Sequence, residues 1–331
     1  MQAMLTSRNG NARWQVMRRL AIVVLLFSGH SIAATAQAAG EYSALYVFGD
    51  SLSDPGNAYV LIGQSAVPPF EPVPSAPYEI GDFHFSNGRT WIEYLAPRLN
   101  LRRGSLPAFE RPRRFGNYAI GGSRLRPGTS PLQTFAGQVG IFFFNLRGTA
   151  PGDALYAVEF GGNDIRDAIE AAFTDPTLAT SFTILDEAVA AEAAGVSDLY
   201  AAGARHFLVM NAPNLALVPE STTAGPDRVA AALLMSATFN TDLAEAMEDL
   251  EATLPGIDIR VFDTFALLSD ITANPSIFGF DNVVDPCLTF FVTVDVFCDN
   301  PNRYLFWDFI HPTTAAHRVV ARQVLYFLSQ P

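Results

Sequence analysis

Five short apolar runs punctuate the chain: "ALYVFG" (44–49), "GNYAIGG" (116–122), "ALYAVEFGG" (154–162), "RHFLVMNAP" (205–213) and "GIDIRVFD" (256–263). None alternates polar with apolar residues, and Gly, Asn or Pro ends most of them. Strands buried on both faces of a parallel sheet read this way. Helical patterns lie between them: "RTWIEYLAPRL", "LQTFAGQVGIFFFNL", "ILDEAVAAEAAGVSDLYAAGA" and "DRVAAALLMSATFNTDLAEAMEDLEATL", the last two rich in Ala, Leu and Glu. A final helix is predicted from "HPTTAAHRVVARQVLYFL", with Pro312 at its first position. Strands that alternate with helices predict one α/β domain with a parallel sheet. The proline-rich stretch "VPPFEPVPSAPYEIGDF" (67–83) interrupts neither pattern and reads as an ordered surface loop.

The first forty residues are of another kind. Arg8, Arg13, Arg18 and Arg19 precede the apolar run "LAIVVLLFSG" and the small-residue stretch "AATAQAAG". That order predicts a secretory signal, residues 1–38, cleaved after Ala36 or Ala38, and a mature domain over 39–331. The apolar run is too short to span a bilayer, which takes about 20 residues. Removing four of the 21 basic residues leaves 17 arginines against 33 acids, a net charge near −16, and the chain has no lysine. A nucleic-acid partner is excluded by that balance, and a lysine-based phosphate loop or Schiff base by the missing lysine. The local basic stretch Arg98, Arg102, Arg103, Arg111, Arg113 and Arg114 reads as a solvated loop. Cys287 and Cys298 are the chain's two cysteines, and in an exported protein they predict one disulfide. They make a poor zinc site, and no metal or cofactor is expected.

In an open parallel sheet, ligands bind at the carboxyl ends of the strands. The first run delivers Gly49-Asp50-Ser51 there, the second Gly121-Gly122, the third Gly161-Gly162-Asn163-Asp164, and the fourth Asn211 and Asn214. Each is also an ordinary turn or cap when taken singly. His311, in "FWDFIHPTTAAH", stands three residues after Asp308, a spacing that lets a carboxylate orient an imidazole. His84 falls in an aromatic loop, His206 at a strand head and His317 inside the last helix. Acyl transfer needs a nucleophile, a base, an orienting acid and donors for an oxyanion. Ser51, His311, Asp308 and the donors of Gly122 and Asn163 fill those roles. The G-x-S-x-G elbow is absent, since Ser53 stands where its second glycine would be.

The blocks "FGDSLSDPGN", "NYAIGG", "GGND" and "FWDFIHPT" resemble, in order, those of the GDSL, or SGNH, hydrolase family. "FSNGRTWIEYLA" (85–96) and "YLFWD" resemble its lipase/acylhydrolase branch. The resemblance implies a three-layer αβα sandwich around a flavodoxin-like parallel sheet. It implies Ser51 as nucleophile, His311 as base and Asp308 as its orienting acid. The oxyanion hole would be the backbone N–H groups of Ser51 and Gly122 and the amide of Asn163, with the choice between Gly121 and Gly122 open by one residue. Some bacterial relatives carry a C-terminal membrane barrel. This chain ends about twenty residues after His311 without alternating strands, so a periplasmic or secreted protein with no membrane anchor is expected.

The leading expectation is a carboxylic-ester hydrolase acting through an acyl-enzyme on small acyl-ester or lipid substrates. A phospholipase or acyltransferase and a glycan deacetylase share that chemistry, and a silent binding protein of the same fold is the alternative of another class. A metal-dependent hydrolase built on Asp50, Asp54, Asn163 and Asp164 lacks histidine at ligand spacing. The 26 phenylalanines, "GIFFFN" (140–145) among them, invite either an acyl site or core packing. Oligomeric state is not legible.

Overall fold

The computed structural model describes residues 42–62, 83–128 and 130–330. The expected leader (1–38) and nearly all of the proline-rich loop lie outside the described residues. Four parallel strands, β1 (Leu45–Gly49), β2 (Leu155–Glu159), β3 (His206–Met210) and β4 (Asp258–Phe262), pair in that spatial order. They match four of the five apolar runs. The fifth run, 116–122, is not a regular strand, yet it lies along the free side of β1. Val47 N–H donates to Gly116 O (2.9 Å), Tyr118 N–H to Val47 O (2.8 Å) and Ile120 N–H to Gly49 O (3.1 Å). Counted in chain order with this segment second, the sheet runs 2-1-3-4-5, the flavodoxin-like order.

Ten helices surround the sheet among the described residues: α1 (Asn57–Ile62), α2 (Trp91–Leu95), α3 (Phe135–Leu146), α4 (Gly162–Thr174), α5 (Ala179–Ala201), α6 (Pro219–Ala224), α7 (Pro226–Thr253), α8 (Thr264–Ala273), α9 (Pro275–Phe278) and α10 (Thr314–Leu328). Side chains of β2 alternate between two cores, as a pleated strand requires. Tyr156 and Val158 join a core with residues of α3, α4, α5 and α7, whereas Leu155 and Ala157 face Trp91, Ile92, Ala321 and Val324 of α2 and α10. Both faces of the sheet are therefore covered, giving three layers and explaining why the strand sequences do not alternate.

One expectation is corrected here. Pro312 is not the first helical residue, because Thr313 caps α10, its hydroxyl accepting from Ala316 N–H at 3.3 Å. The "GGND" stretch starts a helix, Gly161 standing at the N-cap and α4 beginning at Gly162. A small parallel pair, β5 (Asn282–Pro286) and β6 (Tyr304–Phe306), was not foreseen and flanks the segment that carries Asp308 and His311. The arginines of 98–114 behave as expected: Arg102, Arg103, Arg113 and Arg114 are exposed around a hollow of about 690 Å³ at the start of β1. "GIFFFN" serves α3, where Phe142 is core and Phe144 points to solvent.

One acid in the core stands apart. Neither carboxyl oxygen of Glu192, on α5, has a hydrogen-bond partner among the described residues. Burial, and secondarily the charge of Asp164, pushes its pKa from 4.5 up to about 8. The folded protein thus holds a proton that the unfolded chain releases. The associated stability is complete below the unfolded pKa and is lost as pH rises through the folded one. Replacing Glu192 with Gln should remove this slope. In denaturant titrations, the variant's stability relative to the parent should climb by roughly 1.4 kcal/mol per pH unit between those values.

Candidate active site

Ser51 leaves the carboxyl end of β1, and its hydroxyl lies 2.8 Å from His311 Nε2. His311 Nδ1 lies 2.6 Å from Asp308 Oδ2. The second oxygen of Asp308 accepts from Ile310 N–H (2.8 Å) and His311 N–H (2.7 Å), so one carboxylate shapes the turn and orients the ring. Asp308 and His311 are buried, while Ser51 keeps 9% of its surface open. With Nδ1–H facing the carboxylate, Nε2 is left to accept the serine proton. The histidine segment is braced from the chain around residue 86. Ser86 Oγ donates to Pro312 O at 2.8 Å, Asn87 Oδ1 accepts from Thr314 N–H at 2.8 Å, and Phe85 packs against the imidazole.

The candidate oxyanion donors are the N–H groups of Ser51 and Gly122 and the side-chain amide of Asn163. The first two carry no hydrogen bond among the described residues, whereas Gly121 N–H is occupied by Asp54 Oδ2 at 2.8 Å. That difference favours Gly122 in the register left open by the sequence. Gly122 also sits at φ +77°, in the left-handed region that suits glycine. Asn163, in the first turn of α4, donates from Nδ2 to Ser123 O (2.9 Å) and, at the longer 3.3 Å, to Asp50 Oδ2. α4 can start here because Gly161 takes φ +102° and a Cβ on it would stand 2.6 Å from the Phe239 ring.

The turn that carries Ser51 rests on buried polar side chains. Gln138 of α3 accepts from Gly49 N–H (2.9 Å) and donates to Gly49 O (2.8 Å), so an amide side chain replaces a strand neighbour. Glu159, the last residue of β2, accepts from Ser53 Oγ at 2.9 Å and from Asp50 N–H, and Trp91 Nε1–H donates to Ser53 Oγ at 2.9 Å. Burial, with Asp50 nearby, holds the Glu159 carboxyl well above the ordinary range. Asp54 accepts from the N–H groups of Gly56, Asn57, Ala58 and Gly121, and burial still lifts it to about 6. Asn57 and Asn117 complete the support, Asn57 Nδ2 donating to Asn117 O and Ala119 O, and Asn117 Nδ2 to Ser53 O, each at 2.8 Å.

The carboxylates weighed as metal ligands are occupied by hydrogen bonds. Asp50 accepts from Leu52 N–H, and Asp164 from Leu125 N–H and Arg126 Nε, which ties the chain after Gly122 to α4. Asn211 and Asn214 do not join the relay: Asn211 accepts from Thr264 N–H at the head of α8 and lines an apolar cavity with Leu52 and Ile310, and Asn214 caps a short turn. His84 lies 2.7 Å from Glu93, His206 lies 3.1 Å from Asp258, and burial depresses His317 to about 3, so it is neutral. Cys287 and Cys298 form a disulfide, with an S–S distance of 2.06 Å. The sequence reading missed Gln138, Glu159, Ser86 and Asn87. The one available signal was that each is a polar residue within or beside an apolar run.

The match to the GDSL-like lipase/acylhydrolase model covers residues 45–324, and the chain belongs to that family. It is a carboxylic-ester hydrolase. A GDSL esterase/lipase of Arabidopsis thaliana is 29% identical over 94% of this chain and 95% of its own length. The thermolabile hemolysin of Vibrio parahaemolyticus is 30% identical over 84% of this chain and 62% of the relative. Among solved structures, an acetylxylan esterase of Geobacillus stearothermophilus aligns over 88% of this chain and 96% of its own, with a TM-score of 0.45 and 15% identity.

Gln138→Leu would leave Gly49 N–H without an acceptor in a buried place, while Gly49 O keeps only Ile120 N–H. The expected cost is about 1–3 kcal/mol, measured by denaturant unfolding, together with a lowered kcat as the serine turn loosens.

Proposed function

We propose that this chain is an exported serine esterase whose nucleophile is Ser51, and that it acts on esters of aliphatic acids. The observation that carries the reading is the continuous relay from Ser51 Oγ to His311 Nε2 (2.8 Å) and from His311 Nδ1 to Asp308 (2.6 Å). In this reading His311 takes the serine proton as Oγ bonds to the ester carbonyl carbon. The N–H groups of Ser51 and Gly122 and the Asn163 amide proton that otherwise makes the long 3.3 Å bond to Asp50 Oδ2 receive the oxyanion. The C–O bond to the alcohol then breaks and His311 returns the proton to it. Water repeats the sequence on the acyl-enzyme and frees Ser51. Residues 1–38 act as the cleaved leader and 39–331 as one hydrolase domain in the periplasm or outside the cell. The disulfide supports an oxidising compartment.

For the acyl group, an apolar cavity of about 90 Å³ opens beside the relay. Leu52 and Ile310, neighbours in sequence of Ser51 and His311, line it with Val218, Leu267, Leu268 and Ile271. Its polar lining is Asn211, Thr264, Glu159, whose carboxyl burial holds well above the ordinary range, and His317, which burial keeps neutral. The cavity is thus suited to a hydrocarbon chain.

Two experiments test this. Ser51→Ala should lower kcat on p-nitrophenyl esters by roughly 10³–10⁶-fold, and an active variant would refute the nucleophile. The preference for hexanoate over acetate should reach about 10²-fold if four more methylenes are buried, at about 0.8 kcal/mol each. Leu268→Trp should reduce that ratio by about tenfold while acetate hydrolysis persists.

A further inference from the structure

Beyond the cavities and the relay, the apolar surface around the disulfide is used by nothing described so far. The segment 287–298 is a short hairpin. Thr289 N–H donates to Val296 O and Cys298 N–H to Cys287 O, both at 2.8 Å, and the disulfide closes its base. Its root is bonded to the catalytic segment, Cys287 N–H donating to Phe306 O (3.1 Å) and Leu288 N–H to Trp307 O (2.7 Å). Trp307 N–H in turn donates to His311 O at 2.7 Å. Leu288 and Val296 face inward and are buried with Trp307, and Phe297 stacks on that indole.

The other side of the hairpin faces water. Phe291 is 68% exposed and Val294 73%, and Phe309, two residues from His311 and stacked on Phe290, is 37% exposed. Phe291 also takes φ +60°, an uncommon backbone for a bulky residue and one that occurs where structure over-determines it. Between the cysteines the one charged residue is Asp295. Large apolar side chains held outward on a cross-linked, rigid support, beside a reactive serine, mark a surface made to be covered.

We infer that this hairpin docks the enzyme on a lipid–water interface, with Phe291 and Val294 entering the apolar layer and the Ser51 cleft held at its edge. This rests on the reading of the chain as a hydrolase of lipid-like esters. Lipid fits better than a protein partner because the tip is small, nearly uncharged and continuous with the loop that carries the catalytic histidine. A zwitterionic surface fits better than an anionic one, since acids outnumber bases in the chain, 33 to 21.

The test separates docking from chemistry by using Ser51→Ala protein, which should not turn over lipid, in flotation with phosphatidylcholine vesicles. The parent Ser51→Ala protein should float with the vesicles, and added salt should not release it. Adding Phe291→Asp and Val294→Asp should reduce the bound fraction at least tenfold. The same two substitutions in the Ser51 protein should leave hydrolysis of soluble p-nitrophenyl acetate within about twofold, which also shows that the fold survives. Equal flotation of the two proteins, no flotation of the parent, or binding confined to anionic vesicles and lost in salt would each overturn the docking. Loss of ester hydrolysis by the Ser51 protein itself would instead overturn the functional reading.

Discussion

The backbone leaves β1 at Gly49 in a region closed to water, and every polar group it carries there must find a partner in the protein. Gln138 takes both groups of Gly49, Glu159 takes Asp50 N–H and the Ser53 hydroxyl, and Asn117 takes Ser53 O. Ser51 is therefore flanked on both sides by residues that cannot move without stranding a buried donor or acceptor. The 2.8 Å approach of Ser51 to His311, the proposed nucleophile and base, owes its geometry to this floor at least as much as to the histidine. Because the region is dry, its acids are driven toward their neutral forms, and Glu159 acts mainly as a hydrogen-bonding bracket.

The order of the strands then decides what meets Ser51. The 116–120 segment and β2 lie on opposite sides of β1, so the chains that lead to Gly122 and Asn163 flank the strand that leads to Ser51, at the point where the sheet order reverses. Asp164 fastens the chain after Gly122 through Leu125 and Arg126, which joins that chain to the helix that bears Asn163, the two proposed sources of oxyanion donors. His311 comes from the far end of the chain, and its loop is held by Ser86 and Asn87 and by the backbone pairing of β6 with β5. None of these elements supplies a complete site by itself.

Much of this was legible in the sequence because it is local. The buried strands announce themselves as unalternating runs, and Asp308 and His311 lie within one turn of each other. What escaped depends on contacts between distant segments. The 116–122 run has strand composition, yet only part of it pairs with β1, and composition does not specify pairing. Gly-Gly-Asn-Asp reads as an ordinary turn or cap, and it becomes the start of the long helix α4 because Gly161 turns the chain with positive φ against Phe239. Gln138 sits in an apolar helix where a single polar residue gives no sign that it will substitute for a strand. The phenylalanines drew attention to α3, whereas the cavity beside Ser51 is lined mainly by aliphatic residues that five separate segments supply.

The two apolar regions near the relay differ in a way that bears on how a substrate could reach Ser51. The cavity is lined from the core, so its shape is set by the same packing that holds the sheet. The hairpin stands outside that core and has its own small one, Leu288 and Val296 against Trp307, tied by the disulfide. A movement of the hairpin would be transmitted through Trp307, whose carbonyl holds Leu288 and whose N–H holds His311 O. The residue that holds the root of the hairpin thus also holds the loop of His311, and under the proposed docking a contact at Phe291 would bear on His311 through Trp307.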